Sequence, residues 1–227
     1  IPDLAGISVQ GGRLRIGAAT RQREIETSPD VARHAPLLAK AIPYVAHAAI
    51  RNRGTVGGNL AHADPASELP ACMVALGAAI NIAGPNGTRT VAADSFFRGV
   101  YETDLKQGEV LVSVDISIPS PDTRVSFQEL VRRHGDYAMV GLAAVAKVVD
   151  GKIPNARFVF FAGSDRPVLA AAAARAVAGK SSAAAAKAAQ DALAQDIEPA
   201  GDLHTSGPTK LHLARVLIGR AIAELTS

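Results

Sequence analysis

The chain has 227 residues, 48% of them hydrophobic, with 24 Lys and Arg against 21 Asp and Glu. That is enough apolar material for one large domain or two small ones, and the net charge of +3, spread along the chain with no basic block, argues against nucleic acid as a partner. No apolar run reaches the roughly 18 residues that cross a bilayer, and the opening IPDLAGISVQ lacks a signal peptide's basic start and apolar stretch, so a cytoplasmic location is expected.

Residues 7–10 and 13–18 are β-rich runs separated by Gly11 and Gly12, which reads as a hairpin. Ser28-Pro29 and Ala35-Pro36 mark helix starts, because proline suits a first turn where its missing N–H is not needed. Pro43 should kink or restart the helix leading to Ile50. A helix is expected over 66–76, then strands over 79–83 and 88–92 joined by the Pro-Asn-Gly turn at 85–87, and another over 110–118. The proline-rich stretch 119–122 divides the chain into a first unit, 1–120, and a second, 121–227.

The second unit opens with strand-like runs over 125–131, 140–149 and 153–161, the last two joined at Asp150-Gly151. These predict a three-stranded antiparallel sheet. Alanine-rich helices follow over 166–178, 183–193 and 208–225 and should cover one face of it. Segregated strands and helices make the fold class α+β.

The chemically informative stretch is IRNRGTVGGNLAHADPASELP, 50–70. Gly54, Gly57 and Gly58 leave the backbone bare, so a ligand could approach its N–H donors and positive φ becomes accessible. Thr55 and Asn59 flank it, and Asp64 and Glu68 could accept hydrogen bonds from sugar hydroxyls. Equally, a Gly-Gly pair can be a tight turn and the carboxylates helix caps; the spacing is neither GxGxxG nor a P-loop.

The whole string, IRNRGTVGGN followed by DP and ELP, resembles the second FAD-binding motif of carbon monoxide dehydrogenase medium subunits and of xanthine dehydrogenase flavin domains. A second segment, FQELVRRHGDYAMVG at 127–141, resembles the family's paired arginines followed by DYA. The resemblance runs to the end of the chain and implies an FAD-binding subdomain of the PCMH-like type followed by the carbon monoxide dehydrogenase type of C-terminal domain. It implies that Thr55, Val56, Gly57, Gly58 and Asn59 wrap the flavin nucleotide, that Glu68 contacts it, that Tyr137 lies against the isoalloxazine ring and that Leu111 is an apolar contact beside it. Gln128 stands where xanthine dehydrogenase-like members carry lysine, so a positive charge near the flavin is lost. GPTK at 207–210 replaces an acidic-aromatic-arginine pattern. The family's glycine-rich loop for the FAD diphosphate lies upstream of Ile1, so this chain reads as N-terminally truncated and is expected to bind FAD weakly without that loop.

By the same resemblance, the chain is a flavoprotein subunit of a molybdenum hydroxylase. Its FAD relays electrons from the 2Fe–2S clusters of a small iron–sulfur subunit, fed by a large molybdopterin subunit, to an external acceptor. No residue is expected to be catalytic. Two other readings stand beside it: a self-sufficient flavin oxidoreductase of the same fold, which would need no iron–sulfur partner, and an interaction module that has lost FAD, which would show no flavin absorbance. His34, His47, His62, His134, His204 and His212 have no common metal-ligand spacing, so no metal is expected on this chain. His62 is either a cofactor contact or a surface histidine. Cys72, the single cysteine, sits in ACMVAL and reads as a small buried hydrophobe.

Overall fold

The structure, a computed structural model, describes residues 4–133, 135–203 and 205–227. The first unit is built on a five-stranded sheet in the order β1-β2-β7-β3-β4, every pair antiparallel. Its strands are β1 (Ile7–Gln10), β2 (Arg13–Gly17), β3 (Ala79–Gly84), β4 (Gly87–Ala92) and β7 (Val110–Ser117). Gly11 and Gly12 turn the first hairpin with φ of +57° and +73°, the twist that matches two paired strands. Leu14, Ile16, Ile80, Ile82, Val114 and Ile116 form the buried face by the two-residue alternation of strands.

Short helices gather around the same core, with α2 and α5 directly against these strands: α1 (Gln22–Thr27), α2 (Pro29–His34), α3 (Pro36–Ala41), α4 (Ala48–Arg51), α5 (Val56–His62) and α6 (Glu68–Ala75). Both Pro-led starts appear as expected, with Ser28 accepting from Val31 N–H at the head of α2. Residues 42–44 at Pro43 form a 3₁₀ turn. All eight residues of α6 are buried, which is the behaviour of a helix covered all round. A short helix α7 (Ala93–Phe96) and the small ribbon β5 (Phe97–Gly99) and β6 (Glu102–Thr103) complete the unit.

The second unit carries β8 (Thr123–Val131), β9 (Ala138–Val149) and β10 (Lys152–Phe161) as the expected antiparallel meander, with Asp150 and Gly151 both at positive φ in its tight turn. Two short strands extend it: β11 (Val168–Leu169) and β12 (Lys180–Ser181) both pair with β10. The helix expected from residue 166 therefore begins later, as α8 (Ala171–Val177), because Val168 and Leu169 are held extended against Phe160 and Val159. It is followed by α9 (Ser182–Ala192) and α10 (Gly207–Leu225).

The three helices cover one face of this sheet, through Leu142, Ala144, Phe158 and Phe160. The other face is buried as well: Phe127, Ala143, Val159 and Phe161 join the core of the first unit, with α6 against β9 and β10. Phe127 stacks on Phe161 at 5.8 Å between centroids. This two-sided burial explains the near-continuous apolar run of β9.

Among the described residues, no helix is long and apolar enough to cross a membrane.

Candidate functional site

A cavity of about 330 Å³ opens between the α5–α6 region of the first unit and the β8–β9 turn of the second. Asn59, His62, Asp64 and Glu68 line it from one side, Asp136 and Tyr137 from the other, and Ala46 lies along its edge. It has the concave form of a small-ligand site, at the lower end of the usual size.

The glycine segment is not the loop the sequence suggested. Residues 56–62 are helix α5, capped by Thr55, whose side-chain oxygen accepts from Gly58 N–H at 3.1 Å. Val56 N–H donates to Thr20 O at 2.9 Å and Gly57 N–H to Ala18 O at 2.8 Å. These three amides are thus engaged within the protein. None of Gly54, Gly57 and Gly58 has positive φ. The reason for glycine at 57 is close approach: a Cβ there would meet the Ala18 Cβ at 2.5 Å. Val56 is 2% exposed and points into the core. The segment positions the site by docking α5 against the end of β2, and Asn59, one turn into the helix, reaches the cavity.

Asn59 accepts from the Ser67 hydroxyl at 3.0 Å, and Asp64 accepts from Ala66 N–H at 2.9 Å, which closes the Asp-Pro turn between α5 and α6. Ala162 N–H, at the end of β10, donates to Pro65 O at 2.9 Å and ties that turn to the second sheet. His62 lies against Tyr101 with ring centroids 4.8 Å apart and the planes tilted by 31°. Tyr137 is 71% exposed, an apolar ring with nothing yet packed on most of its surface. Asp64 and, less, burial push its hydroxyl up from the ordinary range.

Glu68, 8% exposed at the head of α6, is pushed up to about 7 by burial and, secondarily, by Asp64. A carboxyl with that affinity for protons titrates near neutrality. Behind it, on β8, both carboxyl oxygens of Glu129 are buried without a hydrogen-bond partner.

Like Thr55, Val56, Gly57 and Gly58, the expected residues Leu111 and Gln128 are not brought to the cavity. Leu111 is 6% exposed in the first sheet, opposite Ile82, where it is core. Gln128 faces the other side of β8, where its amide donates to Glu224 of α10 at 3.0 Å. Its neighbours Phe127 and Glu129 point the opposite way, as strand alternation requires.

One residue that sequence reasoning passed over is Arg51. It is 7% exposed; its Nε and Nη2 donate to the two Glu26 carboxylate oxygens at 3.0 and 3.1 Å, and its Nη1 to Val45 O and Ala46 O at 2.9 and 3.1 Å. The bidentate pair holds Glu26 below the usual carboxylate range. It also fixes Ala46, which sits at φ +43° on the cavity edge.

Cys72 is fully buried, and burial keeps its thiol protonated. Among the described residues no three His, Cys, Asp or Glu side chains converge as a metal site; His134 and His204 lie outside the described residues.

Comparison with known proteins places this geometry. Residues 1–121 match the FAD binding domain in molybdopterin dehydrogenase, and residues 125–225 the CO dehydrogenase flavoprotein C-terminal domain. The carbon monoxide dehydrogenase medium chain of Hydrogenophaga pseudoflava is 34% identical over 223 residues, 98% of this chain and 78% of the relative. The nicotine 6-hydroxylase medium subunit of Paenarthrobacter nicotinovorans is 34% identical over 99% of this chain and 79% of its own length. A solved structure of the Hydrogenophaga pseudoflava carbon monoxide dehydrogenase superposes with a TM-score of 0.95 at 37% identity, over 99% of this chain and 79% of that one. With both matched regions, the α+β fold and the near full-length likeness in agreement, the chain belongs to the FAD-binding flavoprotein family of the molybdopterin dehydrogenases.

Proposed function

We propose that this chain is the flavin-bearing subunit of a molybdenum hydroxylase complex, relaying electrons from the 2Fe–2S clusters of a small subunit to an external acceptor, with a large molybdopterin subunit oxidising the substrate. The observation that carries the reading is the cavity in which the family's two motifs meet, Asn59 to Glu68 on one wall and Tyr137 on the other.

The lining suits part of FAD. Asp64, Glu68 and Asn59 offer acceptors to ribityl hydroxyls and the ring imide, and the Tyr137 ring offers an apolar face to the isoalloxazine. Thr55 and Gly57 serve by holding α5 in place, and Gly58 by receiving its cap. The flavin supplies the electron chemistry; the residues of this chain orient it, shield it from water and set the charge around it. The diphosphate is less well served, since no Lys or Arg is among the described residues that line the cavity. Riboflavin should therefore bind the 227-residue chain within about tenfold of FAD, a difference of ~1.4 kcal/mol or less. Calorimetric titration of the two ligands checks this; a much larger advantage for FAD would place the diphosphate on groups outside this lining.

The functional reading is tested by purifying the protein from its native host. Visible flavin absorbance and co-purification with an iron–sulfur subunit are expected. Flavin without such a partner would favour a self-sufficient oxidoreductase, and colourless protein that takes up no added FAD would sink the proposal.

A further inference from the structure

The second wall of residues behind the cavity contains an acid that the proposed function leaves unused. On β8, Val125, Phe127 and Glu129 share the face turned to the first unit, and the first two belong to its core or pack against it. Glu129 therefore points into an apolar layer. Both its carboxyl oxygens are out of reach of solvent and neither has a hydrogen-bond partner. An ionised carboxylate is kept in that state only at a large desolvation cost, the neutral acid at a much smaller one.

The surroundings give no relief to the charged form. Facing Glu129 from α6 are Glu68 and Cys72, on one side of that helix by their four-residue spacing. Opposite it on β9 is Gly141, with no side chain. The charge on α3, Lys40, is tied to Glu224, which with Ser126 and Gln128 occupies the other face of β8. Burial first, and the Glu68 charge second, push Glu129 up to about 8. Glu68, in turn, lines the cavity.

We propose that Glu129 is a proton-holding residue behind the cavity: it remains a neutral acid at neutral pH and, acting through Glu68, sets the charge that the cavity wall presents to a bound flavin. The inference rests on the flavin reading for what occupies the cavity, but the state of Glu129 itself does not depend on it. With Glu129 neutral, the Glu68–Glu129 pair carries at most one negative charge. When negative charge enters the cavity, the pair takes one proton from solvent, forming an O–H bond on Glu68 and bringing its charge from −1 to 0. Glu129 is a positioning residue in this scheme, since its carboxyl touches neither ligand nor solvent directly.

The linkage sign follows from the direction of both shifts. Raised acids favour the folded state fully at pH below their unfolded value of 4.5, and that contribution is lost progressively as pH rises to about 7 for Glu68 and about 8 for Glu129.

Infrared spectroscopy of the protein with isotope-labelled glutamate tests the proposal. Wild-type protein should keep a protonated-carboxyl band at neutral pH that disappears on passing about 8. Glu129→Gln, close in shape, should remove the component of that band that titrates near 8 and leave the Glu68 component, which titrates near 7; Glu129→Asp should restore the lost component. In flavin-loaded protein, Glu129→Gln should abolish the break near pH 8 in the potential-versus-pH curve. A component titrating near 8 that survives Glu129→Gln, or a Glu129 that titrates near 4.5, overturns the proton-holding role. A lost component with a break that persists overturns the coupling to the cavity. If the protein takes up no flavin, the carboxyl titration still decides the first point, and the failure belongs to the flavin reading.

Discussion

Arg51→Met should lower the stability of the protein by about 3 kcal/mol, and its melting temperature by roughly 10 °C, while weakening flavin binding. The guanidinium is 9% exposed at its side chain and its partner Glu26 is 20% exposed. Removing it leaves a carboxylate and two carbonyls, Val45 O and Ala46 O, short of four hydrogen bonds in a nearly dry setting. The figure is set at the low end of the range for broken buried pairs because Glu26 can turn partly to water. Ala46 holds a left-handed conformation that an alanine adopts only under constraint, so the cavity edge should relax once the two carbonyls are released. Arg51→Lys should not restore the loss, since a single ammonium cannot serve a two-pronged carboxylate and two carbonyls at once. Chemical denaturation and flavin titration of the three proteins check the expectation; a loss under about 1 kcal/mol in Arg51→Met would show that the pair contributes little.

A pair of adjacent glycines gives the second large effect by contrast. Gly57→Ala places a methyl 2.5 Å from the Ala18 Cβ and 2.8 Å from its Cα and carbonyl oxygen. Those atoms belong to backbone that is itself fixed by the Gly57 N–H bond, so they cannot turn aside. Helix α5 must lift away from the end of β2, at about 2–3 kcal/mol, and Asn59 leaves the cavity with it. Gly58→Ala meets the Thr55 Oγ1 at 2.8 Å, a side-chain atom that can rotate. The cap worth about 1 kcal/mol is put at risk there, but the helix gains a similar amount from alanine, so the net change should be small. Thermal denaturation with flavin titration separates the two cases. Equal behaviour of the two variants would mean that the close contact at Ala18 does not govern the site.

These residues also mark what could be read from the amino-acid order. All three tight hairpin turns, the Pro-led helices and the long strands were legible, since each is a local matter of turn chemistry or alternation. The family motif located Asn59, Asp64, Glu68 and Tyr137, which the fold gathers around one cavity. The packing role of Gly57 was not legible, because bare backbone has two uses, contact with a ligand and close approach to other backbone, and spacing alone does not distinguish them. Arg51 was missed because its partner Glu26 lies 25 positions away, and no periodicity signals a cation that is needed indoors. Glu129 was missed because FQELV reads as a strand with one wet face. The signal was in its neighbour: the apolar run of β9 implies a sheet covered on both sides, and the polar positions of β8 then have no water to face. Leu111 and Gln128, taken from the resemblance, are aimed away from the cavity.

Helix α6 belongs by sequence to the first region and by packing to both. A severed first region would therefore show water the flank of α6 that now rests on β9 and β10, an invitation to clump. Chimeras that trade C-terminal halves between relatives would have to match that flank as well as the seam between the halves, so the two pieces are free to diverge only together.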